Sequence, residues 1–167
     1  QIMTSSPRRR YSLEQNLIEL VPIKFNRINF LDLRGNIDTR LKKFINDQNT
    51  DGIVIAKAAL DRVIHTDIKE AQSLKEIIFE CLIESHWIVL PLSSFPTAPG
   101  QGAIGIEMKK DSSIKSYIEN LNHKETSIGV KAEREILKVL DGDCETAVGA
   151  ISKIQKDKII IKGELFS

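Results

Sequence analysis

Arg8, Arg9 and Arg10 stand together in the stretch TSSPRRR, Arg34 and Arg40 bracket LRGNIDTR, and Arg62 closes ALDR. A guanidinium is planar, permanently charged and shaped to grip carboxylates and phosphates through paired hydrogen bonds. Seven of the chain's eight arginines fall within residues 1–62, where 11 Lys+Arg meet 7 Asp+Glu. The remaining residues hold 13 against 16, so a total of +1 conceals a first third at +4 and a remainder at −3. An anionic ligand is therefore expected in the first third. A lone RRR is usually a solvated basic turn. Arginines gathered along one strand-end edge, where parallel α/β sheets bind ligands, point instead to a carboxylate or phosphate clamp.

The other reactive side chains are sparse. Cys144 lies in LDGDCETAVG among Asp141, Asp143 and Glu145. Negative neighbours raise a thiol's pKa, which disfavours a conventional thiolate nucleophile. Cys81, inside an amphipathic pattern, reads as a core residue. Two distant cysteines make no disulfide framework, and a reducing cytoplasm is expected. His65, His86 and His123 lack metal-ligand spacing, so no metal site is expected. PTAPGQGAIGIE is glycine-rich, but no helix follows the glycines and no Lys-Ser/Thr pair ends it, so it is not a phosphate loop.

The elements that must position these residues follow from periodicity. SSPRRRYSLEQNLIELVP predicts a helix with Ser6 as N-cap and Pro7 at its first position. RINFLDLRGN predicts a strand ending in a Gly35-Asn36 turn, and DTRLKKFINDQ a helix capped by Asp38 or Thr39. DGIVIAKAAL reads as a strand buried on both faces, with Arg62 just after it, and SLKEIIFECLIESHW as a helix capped near Ser73. This alternation predicts an α/β layer with a parallel sheet. Beyond Trp87 the pattern changes to a proline-rich crossover, a strand at AIGIEMK, helices at SSIKSYIENLNHK and TSIGVKAEREILKVL (Thr126 as cap), and an antiparallel hairpin turning near Lys156-Asp157. The second part reads as α+β. The opening QIMT reads as the end of a strand, so the chain is expected to be a piece of something longer.

Composition bounds the function classes. At 41% hydrophobic and 28% charged the chain is globular, and no apolar run approaches a membrane span. Aromatics are 5%, and the arginines sit at strand ends rather than along a groove, which argues against nucleic acid. On the residues alone, a small-dicarboxylate-binding sensor domain of periplasmic-binding-protein type remains open as an alternative to an enzyme.

TSSPRRR, LRGNIDTRL, APGQGAIGIE, NHKETS, AERE and LDGDCETAVGA occur in the order and approximate spacing of the porphobilinogen deaminase (hydroxymethylbilane synthase) family, and nearly the whole chain resembles it. The resemblance implies a cytoplasmic, monomeric, three-domain transferase of haem biosynthesis. Such an enzyme joins four porphobilinogen molecules head to tail into hydroxymethylbilane, a linear tetrapyrrole, releasing ammonia at each step. It implies a dipyrromethane primer held covalently by Cys144, with Ser6, Arg8, Arg9, Arg34 and Arg40 as primer contacts. Arg8, Arg9, Arg34, Arg40 and Arg62 are the implied substrate contacts, and Arg10 has no matching role. The electrophile formed when the aminomethyl group loses ammonia is reactive enough to be captured by a thiol, and the resulting thioether is a stable anchor.

By the same resemblance, the periplasmic-binding-protein-like middle domain is 1–96, a crossover to an N-terminal domain is 97–123, and a small α+β C-terminal domain is 124–167. The family's Lys-Asp catalytic pair belongs to the N-terminal domain and is not expected in these residues. The strand GAIGIE is expected to lack its sheet here, and so to pair with the complementary N-terminal half, to self-associate or to be disordered. Pro7 replaces the family's aliphatic residue, and DGDC replaces its GGC.

Overall fold

Three very short strands lie side by side in residues 1–90: β1 (Ile2–Met3), β2 (Phe30–Leu31) and β3 (Gly52–Ile53). They are parallel, in the order β2-β1-β3, with Ile2 opposite both Phe30 and Gly52. The computed structural model describes residues 1–22, 24–140 and 147–166. Each strand leads into a helix: α1 (Pro7–Leu20), α2 (Ile37–Asn46) and α3 (Lys57–Ile64). A short 3₁₀ turn at Lys69–Ala71 then opens α4 (Gln72–Glu84).

The expected βαβαβα order and parallel sheet are present, with two corrections in this unit. The run DGIVIAKAAL is strand only at Gly52–Ile53, both half-buried; its second half is the start of α3. A short apolar run is ambiguous between strand and helix, and Lys57-Ala58-Ala59-Leu60 are all strong helix formers. The caps also move. Asn36, not Asp38 or Thr39, is the N-cap of α2, and α4 continues from the 3₁₀ turn at Ala71 instead of starting at Ser73. Ser6 caps α1 as expected, its Oγ accepting the Arg9 N–H, and Pro7 occupies the first helical position, where no donor is needed. The core of this unit is Leu41, Ile78 and Cys81, with Ile37, Phe44, Leu60, Val63, Leu74 and Ile77 packed around them, so α2 and α3 are seated on α4. Burial pushes the Cys81 thiol pKa up, as suits a core residue.

Residues 91–167 form the second unit. A short helix, α5 (Lys115–Glu119), precedes α6 (Lys124–Val139) and the antiparallel pair β4 (Val148–Gln155) and β5 (Lys158–Leu165). The turn falls at Lys156-Asp157 as expected, with Lys156 at positive φ. The cap of α6 is His123, whose Nδ1 accepts the Thr126 N–H; Thr126 is inside the helix. AIGIEMK is not a strand: residues 103–109 carry no regular structure, and Ile104 is 92% exposed. A strand exists only against a partner, and none of the described residues supplies one. The α6 helix packs on the hairpin, and Ala147, Val148, Ala150 and Phe166 are buried. The chain is thus mixed α/β with a parallel sheet, plus a small antiparallel two-stranded sheet. No described helix is long and apolar enough to cross a membrane.

Candidate functional site

The exits of all three parallel strands meet at one cavity of about 290 Å³. Its wall consists of Thr4, Ser5 and Ser6 after β1, Leu33 after β2, Val54 after β3, Arg8 and Arg9 on the first turn of α1, and Arg40 on the first turn of α2. This is the carboxyl edge of the sheet, where the α/β architecture leaves room for a ligand and points helix N-termini at it.

Side chains hold the three exits in place. Ser5 Oγ donates to the Leu33 carbonyl at 2.8 Å and accepts the Leu33 N–H at 2.6 Å, extending the β1–β2 ladder where backbone pairing has stopped. Arg9 Nη1 donates to the Val54 carbonyl at 3.1 Å, tying α1 to the exit of β3. Arg40 Nε donates to the Gly35 carbonyl at 2.7 Å. Gly35 has φ +109°, and a Cβ there would come within 2.9 Å of Thr39, so only glycine makes the turn that delivers α2 to the cavity.

The electrostatics are one-sided. None of the eight lining residues is acidic. Burial, and then the charge of Arg40, lowers the Arg9 pKa; burial, and then the charge of Arg9, lowers that of Arg8. Three guanidinia therefore repel one another in a partly desolvated cleft, an arrangement relieved by a bound anion. Permanently charged donors converging with the Ser6 hydroxyl suit a ligand bearing several carboxylates, and the cleft fits such a group.

The structure brings together Ser6, Arg8, Arg9 and Arg40. It does not bring Arg34 or Arg62 into the cavity wall. Both are exposed; Arg34 lies in the loop after β2. Arg62 sits in the last turn of α3, not at the end of β3, because the residues before it are helical, and five positions into a helix is about 7 Å from its start. Cys144, with Asp141, Asp143 and Glu145, lies outside the described residues.

Three features, two in the first unit and one in the second, were not legible from the residues alone. Thr4, Leu33 and Val54 line the cavity only because strand exits converge. Arg10 turns away from the cavity and bonds to Thr4 and Asp32. In the second unit, Glu133 accepts the Gly100 N–H, the Ser152 N–H and the Ser152 hydroxyl, each at 2.7 Å, and so joins α6 both to the turn before it and to β4 after it. Glu133 belongs to the AERE motif, and that was the only available signal.

Residues 1–116 match the family model described as "Porphobilinogen deaminase, dipyromethane cofactor binding domain". Residues 127–167 match "Porphobilinogen deaminase, C-terminal domain". The chain is 35% identical over 164 residues to a porphobilinogen deaminase of Clostridium beijerinckii, covering 97% of this chain and 47% of that protein. It is 37% identical over 165 residues to one of Clostridium botulinum, covering 98% and 47%. To one of Caldicellulosiruptor saccharolyticus it is 34% identical over 168 residues, covering 100% and 49%. The chain spans about half the length of these relatives.

Proposed function

The chain belongs to the porphobilinogen deaminase family, and from that premise we propose that it supplies the anion-binding cleft and the primer anchor of a hydroxymethylbilane synthase acting in the cytoplasm. The observation that carries this reading is the cluster of Arg8, Arg9 and Arg40 with Ser6 around one cavity at the strand exits. In the proposed reaction the substrate is porphobilinogen, whose pyrrole bears an acetate and a propionate. At each addition its aminomethyl C–N bond breaks and ammonia leaves; a C–C bond forms to the free α-carbon of the growing chain, whose C–H bond then breaks to release a proton, so that the net product beside the lengthened chain is ammonia. A dipyrromethane, when bound, offers the pyrrole end on which that chain is extended.

This chain's own residues bind and orient. Arg8, Arg9 and Arg40 neutralise carboxylates without titrating, because a guanidinium stays protonated at any working pH. Ser6 adds a neutral hydrogen bond at the helix start. Arg34 and Arg62, exposed and outside the cavity wall, meet carboxylates as the bound chain lengthens beyond it. Cys144 is the covalent anchor. The Lys-Asp pair that assists protonation comes from outside these residues, so this chain alone binds without turning over.

The reading assigns residues 1–96 to a periplasmic-binding-protein-like middle domain, 97–123 to the crossover and 124–167 to the C-terminal domain. It makes the complete enzyme a monomer, in which the segment around Ile104 pairs with the N-terminal half. Intact-mass measurement of the full-length protein tests the anchor. A mass increment of a dipyrromethane that disappears in Cys144→Ser is expected; an unmodified protein that still consumes porphobilinogen would overturn the assignment.

A further inference from the structure

The third arginine of the basic triplet does not line the cavity and reaches Thr4, Asp32 and Phe30 instead. Arg10 Nε and Nη2 both donate to the carbonyl of Thr4, at 3.2 and 3.0 Å, and Nη2 also donates to Asp32 Oδ1 at 2.6 Å. Its guanidinium carbon lies 5.8 Å from the centre of the Phe30 ring, within cation–π range. One planar group on α1 thus touches the residue that leaves β1, the strand β2, and the residue that follows β2.

Thr4 is 2% exposed and lines the cavity, and its N–H is already committed to the Leu31 carbonyl. A buried carbonyl needs a donor, and here the guanidinium is that donor. Asp32 is 75% exposed, so the ion pair is solvent-screened and the bonds to Thr4 are the stronger tie.

Resting on the carboxylate-binding reading of the cavity, we propose that Arg10 is a positioning residue: it fixes the Thr4–Ser6 floor against the exit of β2, and thereby the aim of Ser6, Arg8 and Arg9, without contacting the ligand. A lysine cannot replace it, because one ammonium cannot hold both bonds to Thr4 while reaching Asp32 and lying over Phe30.

The test uses the full-length protein and compares KM and kcat for porphobilinogen in Arg10→Ala, Arg10→Lys and Asp32→Ala. Loss of a positioning contact on the binding step is expected to raise KM about fivefold in both Arg10 variants with kcat within about twofold, and to leave Asp32→Ala within about twofold of the parent in both. An unchanged KM in Arg10→Ala, full rescue by lysine, or a fall confined to kcat would each overturn the proposal. If Arg10→Ala does not fold, Arg10→Lys decides by the same criterion. If the parent protein does not consume porphobilinogen, the activity reading fails separately. The dissociation constant of inorganic pyrophosphate, measured by calorimetry on the same variants, then decides: a rise of about fivefold in the Arg10 variants supports Arg10 as positioning, and no change overturns it.

Discussion

At Arg8 the needs of folding and of binding oppose each other. Burial and the neighbouring Arg9 both make its charge less favourable in the folded protein than in the unfolded chain. A cation whose folded pKa lies below its unfolded value costs stability wherever both states are protonated, which for arginine is the whole working pH range. The same charge is what a carboxylate ligand pairs with. Under the proposed function, Arg8→Gln is therefore expected to keep or raise the melting temperature while weakening porphobilinogen binding about tenfold or more, the usual cost of losing a charge-assisted hydrogen bond. Thermal unfolding and calorimetry on the same preparation check both signs, and a variant that binds normally would remove Arg8 from the clamp. The side-chain types of this site were legible in the sequence because arginine is conspicuous and the alternation of strands and helices is predictable. From the residues alone, which arginines line the cavity was not; only the family resemblance sets Arg10 apart. Arg10 differs from Arg8 and Arg9 only by its rotation around α1 and by the presence of Asp32, 22 residues away. Arg62 lies in the last turn of α3, where the apolar run alone predicts the end of a strand.

Among the elements, those with strong local signals matched their reading: α1 with its serine cap and first-turn proline, α4 with its apolar stripe, and the hairpin with its short turn. Those that depend on distant partners matched in order and direction but not in extent. The strands of the parallel sheet are each only two residues long, and their exits are joined by side chains such as Ser5, which no periodicity encodes. Glu133 is the counterpart in the second unit. One of its carboxylate oxygens holds Ser152 on β4 and the other holds the turn at Gly100, so a single residue of α6 sets the approach of the chain on both sides of the helix. The strand it grips follows directly from residues 141–146, and the helix that carries it precedes them. Glu133→Ala strands two backbone N–H groups and a hydroxyl, and is expected to destabilise the unit by about 2–4 kcal/mol. Urea unfolding followed by amide exchange at Gly100 and Ser152 measures this. Glu133→Gln keeps the shape and one acceptor, and is expected to fall between; full stability of the alanine variant would show that water replaces the carboxylate at no cost.

Across the whole molecule, charge and apolar surface are both distributed unevenly. The cationic first third carries the cleft, and the apolar residues Ile104 and Ile106 stand 92% and 54% exposed in the segment whose sequence predicts a strand. Alternating apolar residues with free backbone groups form an edge that a neighbouring strand would cover. The relatives it matches are about twice as long, and their further length is ample to hold such a strand. The proposed pairing therefore makes a prediction about exchange rates. In this chain alone the amides of residues 104–108 are expected to exchange at close to unstructured rates, since an unpaired N–H has no protection. In the full-length protein the same amides, or alternate ones if the segment lies at an edge, are expected to slow at least about a hundredfold, as ladder hydrogen bonds require. Hydrogen–deuterium exchange read by mass spectrometry on both forms compares the segment with β4, whose pairing to β5 is internal and should be protected in each. Equal exchange of 104–108 in the two forms would refute the pairing. Slow exchange in this chain that vanishes on dilution would assign the covering strand to a second copy instead.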